Sequence, residues 1–176
     1  MGAWTVWVPE GDGEAERALE EAGHVFDAEP RAMGMELSDL DQPELEGIEW
    51  DRGCDLVTVG RINDAAYGYG DRGMESVIGS LPPDRVHSYA ARMDSEPVAV
   101  SLTIDAGDDT EVAWVATTEA ARGRGLATAL VHQSLWDARE RGRLTATLQA
   151  TKRGAPVYRR IGFRDFGALH MWERRR

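Results

Sequence analysis

One cysteine, Cys54, and one lysine, Lys152, are all that the 176 residues contain of those two types. A lone cysteine excludes a disulfide framework and any centre built on several cysteines, structural zinc included. Its plain reading is a small apolar residue in a reducing compartment, and no metal is expected. Long apolar runs are missing too: none nears the roughly 18 residues of a membrane span, and Met1 to Pro9 has neither a charged leader region nor a small-residue cleavage site. These absences predict a cytoplasmic protein without a membrane partner. Basic residues are in deficit, 20 Lys plus Arg against 31 Asp plus Glu, a net charge of −11. That balance argues against nucleic acid as a partner, which would call for a basic face, and suits a cationic substrate. The length fits one domain, or one and a fraction, large enough to bury its own core.

What is present reads, from residue 47 on, as elements joined by short connections. Gly47–Arg52 is a strand, and Asp55–Tyr67 carries Leu56, Val59, Ile62, Ala65 and Ala66 at helical spacing until the Tyr67-Gly68-Tyr69-Gly70 break. A short helix over Met74–Leu81 stops at Pro82-Pro83. Val86–Met93, Val98–Asp105 and Thr110–Thr117 are strands separated by polar turns, an antiparallel meander. Gly125–Arg141 is the clearest helix, with Leu126, Ala127, Leu130, Val131, Leu135 and Ala138 on one stripe and Gly142 as its stop. Thr145–Ala150 is a strand, Ala155–Ile161 a short helix with Pro156 in its first turn, and Gly167–Glu173 a last strand.

Residues 1–46 differ. Thr5-Val6-Trp7-Val8, the helical Glu14–Glu21, Ala22-Gly23-His24 and Met33–Leu37 follow the order of Thr145-Ala146-Thr147-Leu148, Ala155–Arg160, Ile161-Gly162-Phe163 and Leu169–Glu173. Either two similar strand–helix pieces coincide by chance, or 1–46 is a strand-helix-strand remnant of a degenerate repeat beside a main domain at 47–176, with Asp39–Gly47 as the junction. A fragment of that kind can complete its own sheet, fill a neighbour or cover an edge strand; the last two lead us to expect a homodimer.

Chemistry concentrates where the strand ending at Thr117 passes through Thr118-Glu119-Ala120-Ala121 into Arg122-Gly123-Arg124-Gly125-Leu126-Ala127 and directly into the long helix. Glycines at a strand-to-helix turn let backbone N–H groups converge, and the helix N-terminus adds partial positive charge, so an anion, best a phosphate group, belongs there. A Walker loop is excluded because the only lysine lies elsewhere. A dinucleotide fingerprint is excluded by Thr128 at the third small position and by the antiparallel strands before the loop.

Arg122-Gly123-Arg124-Gly125-Leu126-Ala127, preceded by the strand Trp114-Val115-Ala116-Thr117, resembles the Arg/Gln-x-x-Gly-x-Gly/Ala signature of the GNAT superfamily of acyl-CoA-dependent N-acyltransferases. Val157-Tyr158-Arg159-Arg160-Ile161-Gly162-Phe163 is similar to the same family's second motif, a short helix closing in Tyr-x-x-x-Gly-Phe. The resemblance extends over residues 47–176 in element order. It implies an α/β fold of the α+β type: a central mixed, mostly antiparallel sheet flanked by helices, its strands splayed at the CoA site. Two departures stand out. The proline usual shortly before the loop is absent near Glu119, and Thr151 stands about where the second motif commonly has asparagine.

Carried over residue by residue, the resemblance implies that backbone groups of Val115 and Thr117 pair with pantetheine. The N–H groups of Arg122, Gly123, Arg124, Gly125, Ala127 and Thr128 would hold the pyrophosphate. Tyr158 would protonate the leaving thiolate, for which a phenol with a solution pKa near 10 is suited; its bland alternative is a packing aromatic of the short helix. The implied chemistry is direct attack of a primary amine on the thioester of acetyl-CoA, with the Val115 N–H facing the developing negative charge. For the base, Glu111 on the central strand is preferred over Asp109, Glu119 and His132, with a solvated strand-end glutamate as its alternative. Tyr67, Tyr69 and Asp71 are candidates to line the acceptor side, and the acceptor is a small-molecule or peptide amine. The alternative function is a catalytically weak acyl-CoA-binding module that acts as a sensor or binds a partner.

Overall fold

The computed structural model describes residues 4–68, 78 and 81–174, and these comprise nine strands and four helices. In chain order they are β1 (Trp4–Pro9), α1 (Gly13–Glu21), β2 (Val25–Ala28), β3 (Arg31–Glu36), β4 (Glu49–Arg52), α2 (Leu56–Tyr67), β5 (Val86–Met93), β6 (Glu96–Ala106), β7 (Asp109–Thr117), α3 (Leu126–Glu140), β8 (Thr145–Ala150), α4 (Ala155–Ile161) and β9 (Arg164–Arg174). The class is mixed α/β with mostly antiparallel strands and flanking helices. Two compact units result: a central one, Met35–Leu148, and a terminal one made of Met1–Gly34 and Gln149–Arg176. The units divide at 34/35 and 148/149, so that residues 1–34 and 149–176 share one unit.

In the central unit the meander forms as its alternation dictates. β4 pairs antiparallel with β5, β5 with β6 and β6 with β7, while β8 runs parallel to β7. Successive residues of a strand point to opposite faces, so the sheet buries two separate cores. On one face Ala90, Val100, Leu102 and Ala116 pack with Cys54, Val59 and Ile62, the last two from α2. On the other, Tyr89, Ala91 and Ala99 pack against Leu126 and Leu130 of α3. Asp55 starts α2 by accepting the Thr58 N–H at 2.9 Å, and Gly68, with φ of 75°, ends it by donating to Asp64 O.

The α3 side also carries a polar layer. Tyr89 Oη donates to Asp137 at 3.1 Å, and the same carboxylate accepts from Arg52 at 2.5 Å and from Gln133 at 2.7 Å. Burial, then the Asp137 charge, pushes the Tyr89 phenol up to about 12. Ala138 and Leu135, fully buried, continue the apolar stripe of α3 beside these groups.

In the terminal unit β9 is the shared strand: β1, β2 and β3 all pair with it in antiparallel sense. The order strand, helix, strand expected of the N-terminal segment is present with one addition, β2. Its four residues are mostly solvent-exposed, so they carry no apolar alternation by which a sequence reading would find them. β9 begins at Arg164 rather than Gly167, and β4 at Glu49 rather than Gly47. The helix expected over Met74–Leu81 lies largely outside the described residues; of its core, Ile78 is fully buried.

Asp165 ties the terminal unit together. It accepts from Arg31 Nε at 3.0 Å, from Arg159 at 2.5 Å and from the Gly167 N–H at 3.1 Å. The Arg31 hydrogen bond first, then the Gly167 N–H, hold its carboxyl down to about 2 from 3.8. A carboxylate depressed in the folded state adds stability that is present above its unfolded value and is lost as pH falls through the folded one. Asp165→Asn should therefore flatten the fall in melting temperature between pH 4 and pH 2. Denaturation curves of both proteins across that window check this; parallel pH dependences would remove Asp165 from the acid lability.

Candidate active site

The loop after β7 takes the form its glycines permit. Gly123 and Gly125 have φ of 77° and 75°, a left-handed conformation that side chains disfavour, and a Cβ at either would meet nothing within 4 Å. Both glycines are thus demanded by backbone conformation rather than by crowding. Gly125 is the N-cap of α3, which has no side-chain cap and no acidic residue in its first turn. The first helical backbone bond is Ala129 N–H to Gly125 O at 3.0 Å. Among the described residues, the N–H groups from Gly123 to Thr128 have no backbone acceptor. Six consecutive donors at an exposed, uncapped N-terminus of a fifteen-residue helix form a cradle for a polyanion.

Arg122 departs from the role expected of it. Its N–H is engaged with Glu119 O at 3.3 Å, and its guanidinium turns away from the cradle to Thr117 O and Ala66 O, both at 3.4 Å. Arg124, Ala127 and Thr128 sit in the cradle, with Arg124 exposed.

Upstream, β7 leaves its neighbours in two ways. Its parallel pairing with β8 covers only Asp109, Thr110 and Glu111, against Thr145, Ala146 and Thr147. Beyond Glu111, among the described residues, no strand of the central unit pairs with the β8-facing edge of β7 as it runs on to Val115 and Thr117. On the other side, Val100 faces Ala116 while Leu102 faces Ala113, so Trp114 and Val115 both stand against Ser101. This is a β-bulge, and Trp114 carries its strain with φ of 44°. A left-handed tryptophan in a strand costs about 1–3 kcal/mol, and such outliers cluster where a site demands them. The bulge interrupts the regular pairing of β7 with β6 at Val115, the residue expected to act as the hydrogen-bond donor. Tyr67 Oη lies 3.5 Å from Val115 O on the same bulge.

The four candidate bases separate by their partners. Asp109 accepts from Thr145 Oγ1 and Thr147 Oγ1, each at 2.7 Å, so both its oxygens pin β7 to β8. His132 Nε2 is 2.9 Å from Asp41 O and anchors the segment before β4. Glu119 is exposed in the turn before the loop. Glu111 lies half-buried at the point where β7 and β8 part, and burial first, then the Asp109 charge, raises its carboxyl above the usual range. A half-buried carboxylate raised in this way is a candidate general base.

Tyr158 lies in the terminal unit, on α4. Its ring meets that of Phe163 edge to face at 5.9 Å, and its carbonyl accepts the Phe163 N–H. Thr151, in the asparagine's usual neighbourhood, accepts from the Gly154 N–H through Oγ1 and so opens the turn that leads into α4. Cys54 is buried and its thiol is pushed up to about 11, chiefly by burial, which suits packing and not nucleophilic work. Tyr69 and Asp71 lie outside the described residues. No three metal-ligating side chains converge among the described residues, and no described helix is long and apolar enough to cross a membrane.

Residues 84–165, from β5 to the start of β9, match the family model of the acetyltransferase (GNAT) domain. No curated protein matches. Among solved structures, a GCN5-related N-acetyltransferase from Kribbella flavida is 24% identical with a TM-score of 0.74, over 96% of this chain and 67% of that one. One from Sphaerobacter thermophilus is 20% identical with a TM-score of 0.72, over 98% and 60%. A predicted acetyltransferase with acetyl-CoA, from Clostridium acetobutylicum, is 17% identical with a TM-score of 0.55, over 67% of this chain and 90% of that one. The chain thus spans about two thirds of the length of the first two, and at these identities the likeness is one of fold. The match to the acetyltransferase (GNAT) domain thus takes in β5 to β7, the glycine loop and the Tyr158 helix, a little under half of the chain, and the fold is the one these N-acetyltransferases share.

Proposed function

We propose that the protein is an N-acetyltransferase that uses acetyl-CoA as cosubstrate and a primary amine, small-molecule or peptide, as acceptor. The observation that carries the reading is the cradle: two left-handed glycines and the N–H groups from Gly123 to Thr128, matching the doubly charged pyrophosphate of CoA in chemistry. The edge of β7 at Val115 and Thr117, paired with no strand of the central unit among the described residues, supports strand-like pairing with the pantetheine arm. Acetyl-CoA brings an acyl group already activated as a thioester, so the protein need supply only placement, a base and two donors.

In this reading Glu111 takes a proton from the acceptor ammonium, directly or through water, and exposes the nitrogen lone pair. The Val115 N–H, at the bulge, donates to the thioester carbonyl oxygen as negative charge develops there. As the tetrahedral adduct collapses and its C–S bond breaks, Tyr158 donates its phenolic proton to the departing thiolate, and the second proton lost by the nitrogen as the amide forms returns through water to the phenolate. Tyr158→Phe should lower kcat by about tenfold to a hundredfold, at or below the usual contribution of a general acid, with little change in the Kd for CoA. Equal turnover would leave Tyr158 as a packing residue beside Phe163. A chain that binds acyl-CoA but acetylates no amine in a broad screen would instead be a sensor or partner-binding module.

A further inference from the structure

The guanidinium of Arg122 performs no task in the reading above, although its residue opens the family's signature. It reaches out of the loop to two carbonyl oxygens at 3.4 Å. One is Thr117 O, at the end of the strand assigned to pantetheine; the other is Ala66 O, in the last turn of α2. That turn has a particular need of it. The C-terminus of a helix carries partial negative charge and unpaired carbonyls, and the last turn of α2 contains no basic residue of its own. Arg122 supplies the missing cation from a different element. One residue further, Tyr67 Oη stands 3.5 Å from Val115 O. The end of α2 thus meets the strand-loop corner at two points, both within the central unit.

From this geometry we infer that Arg122 is a positioning residue, a latch that couples the filling of the glycine loop to the C-terminal turn of α2. The inference rests on the assignment of that loop to CoA. Holding the Gly123–Thr128 backbone with a bound anion fixes the stem of Arg122. A fixed stem holds the guanidinium on Ala66 O and steadies the end of α2, which runs to Tyr67. Because coupling between two sites is reciprocal, whatever orders the end of α2 also tightens the loop.

Hydrogen exchange read by mass spectrometry over Asp64–Gly68 tests this with CoA as the probe, in parallel with calorimetry on the same samples. The Gly68 N–H, bonded to Asp64 O, is the reporter. For the wild-type chain, saturating CoA should slow exchange there by about tenfold, within the usual range of coupling between sites. In Arg122→Ala the slowing should fall below about twofold while the Kd for CoA shifts less than about threefold; Arg122→Lys, which keeps the charge but not the two-pronged donor, should lie between. Without CoA, Arg122→Ala should exchange faster than wild type at Gly68. Full CoA-dependent protection in Arg122→Ala would overturn the latch, as would equal exchange in the free proteins. Loss of CoA binding in that variant would overturn it too, by making the side chain a phosphate ligand. Failure of the wild type to bind CoA would instead overturn the assignment of the loop, and the free-protein comparison would still decide whether Arg122 holds α2.

Discussion

Gly125→Asp should raise the Kd for CoA by about a hundredfold or more. Two effects add. At φ of 75° any side chain strains the N-cap of α3, and the new carboxylate stands where the N–H groups would meet the pyrophosphate. Two like charges about 4 Å apart repel by about 1 kcal/mol in water and about 4 kcal/mol at the effective dielectric of a protein surface. A hundredfold loss corresponds to about 2.7 kcal/mol, inside that interval. Gly125→Ala separates the two effects, because it adds the strain without the charge and its Cβ meets nothing. It should weaken CoA much less than the aspartate while lowering stability by about 1 kcal/mol. Calorimetric titration of the three proteins gives the order wild type, alanine, aspartate. Unchanged affinity in the aspartate variant would place the anion away from this helix end.

Glu111→Gln should lower kcat by about a thousandfold while slightly raising the melting temperature at pH 7. The loss follows from removing the base, whose usual contribution is about 10² to 10⁴. The gain in stability follows from linkage. Burial and Asp109 raise the folded-state carboxyl above 4.5, so the ionised form is the disfavoured one. Stability is then fully present below the unfolded value and is partly lost as pH rises through the folded value. A neutral glutamine escapes that loss, and the two melting temperatures should converge below pH 4.5. The acidic limb of the wild-type rate profile, marking loss of the deprotonated base, should lie above the ordinary carboxylate range and disappear in the variant. A glutamate that only decorates a strand end would give unchanged kcat, and a purely structural one would give a destabilised variant.

Much of this was legible in the residues. Alternation and polar turns gave β5, β6 and β7 within two residues at either end, and the apolar stripe with Gly142 gave α3. The glycine loop was legible because two left-handed positions admit few residues other than glycine, so conformation is written directly into composition. The rest was hidden for physical reasons. Trp114 has high strand propensity, and nothing in the sequence announces that it turns left-handed; the bulge is visible only through the register against Ser101. Asp109 and Glu111 are chemically near-identical on paper. Their difference lies in two threonines of β8 that occupy the first and leave the second half-buried. β2 is exposed and short, so burial left no pattern in it. The guanidinium of Arg122 meets a helix end fifty-six residues earlier in the chain, a contact that nothing in the loop's own sequence indicates.

The proposed function requires the backbone from Gly123 to Thr128 to hold the pyrophosphate of CoA. Titration of the protein with CoA and with acetyl-CoA, read by calorimetry and by the amide resonances of that loop, tests it most directly. The account predicts micromolar binding of both, with the largest shifts confined to the loop, the first turn of α3 and the β7 edge at Val115 and Thr117. No binding at millimolar ligand, or binding that leaves those amides unmoved, would contradict it.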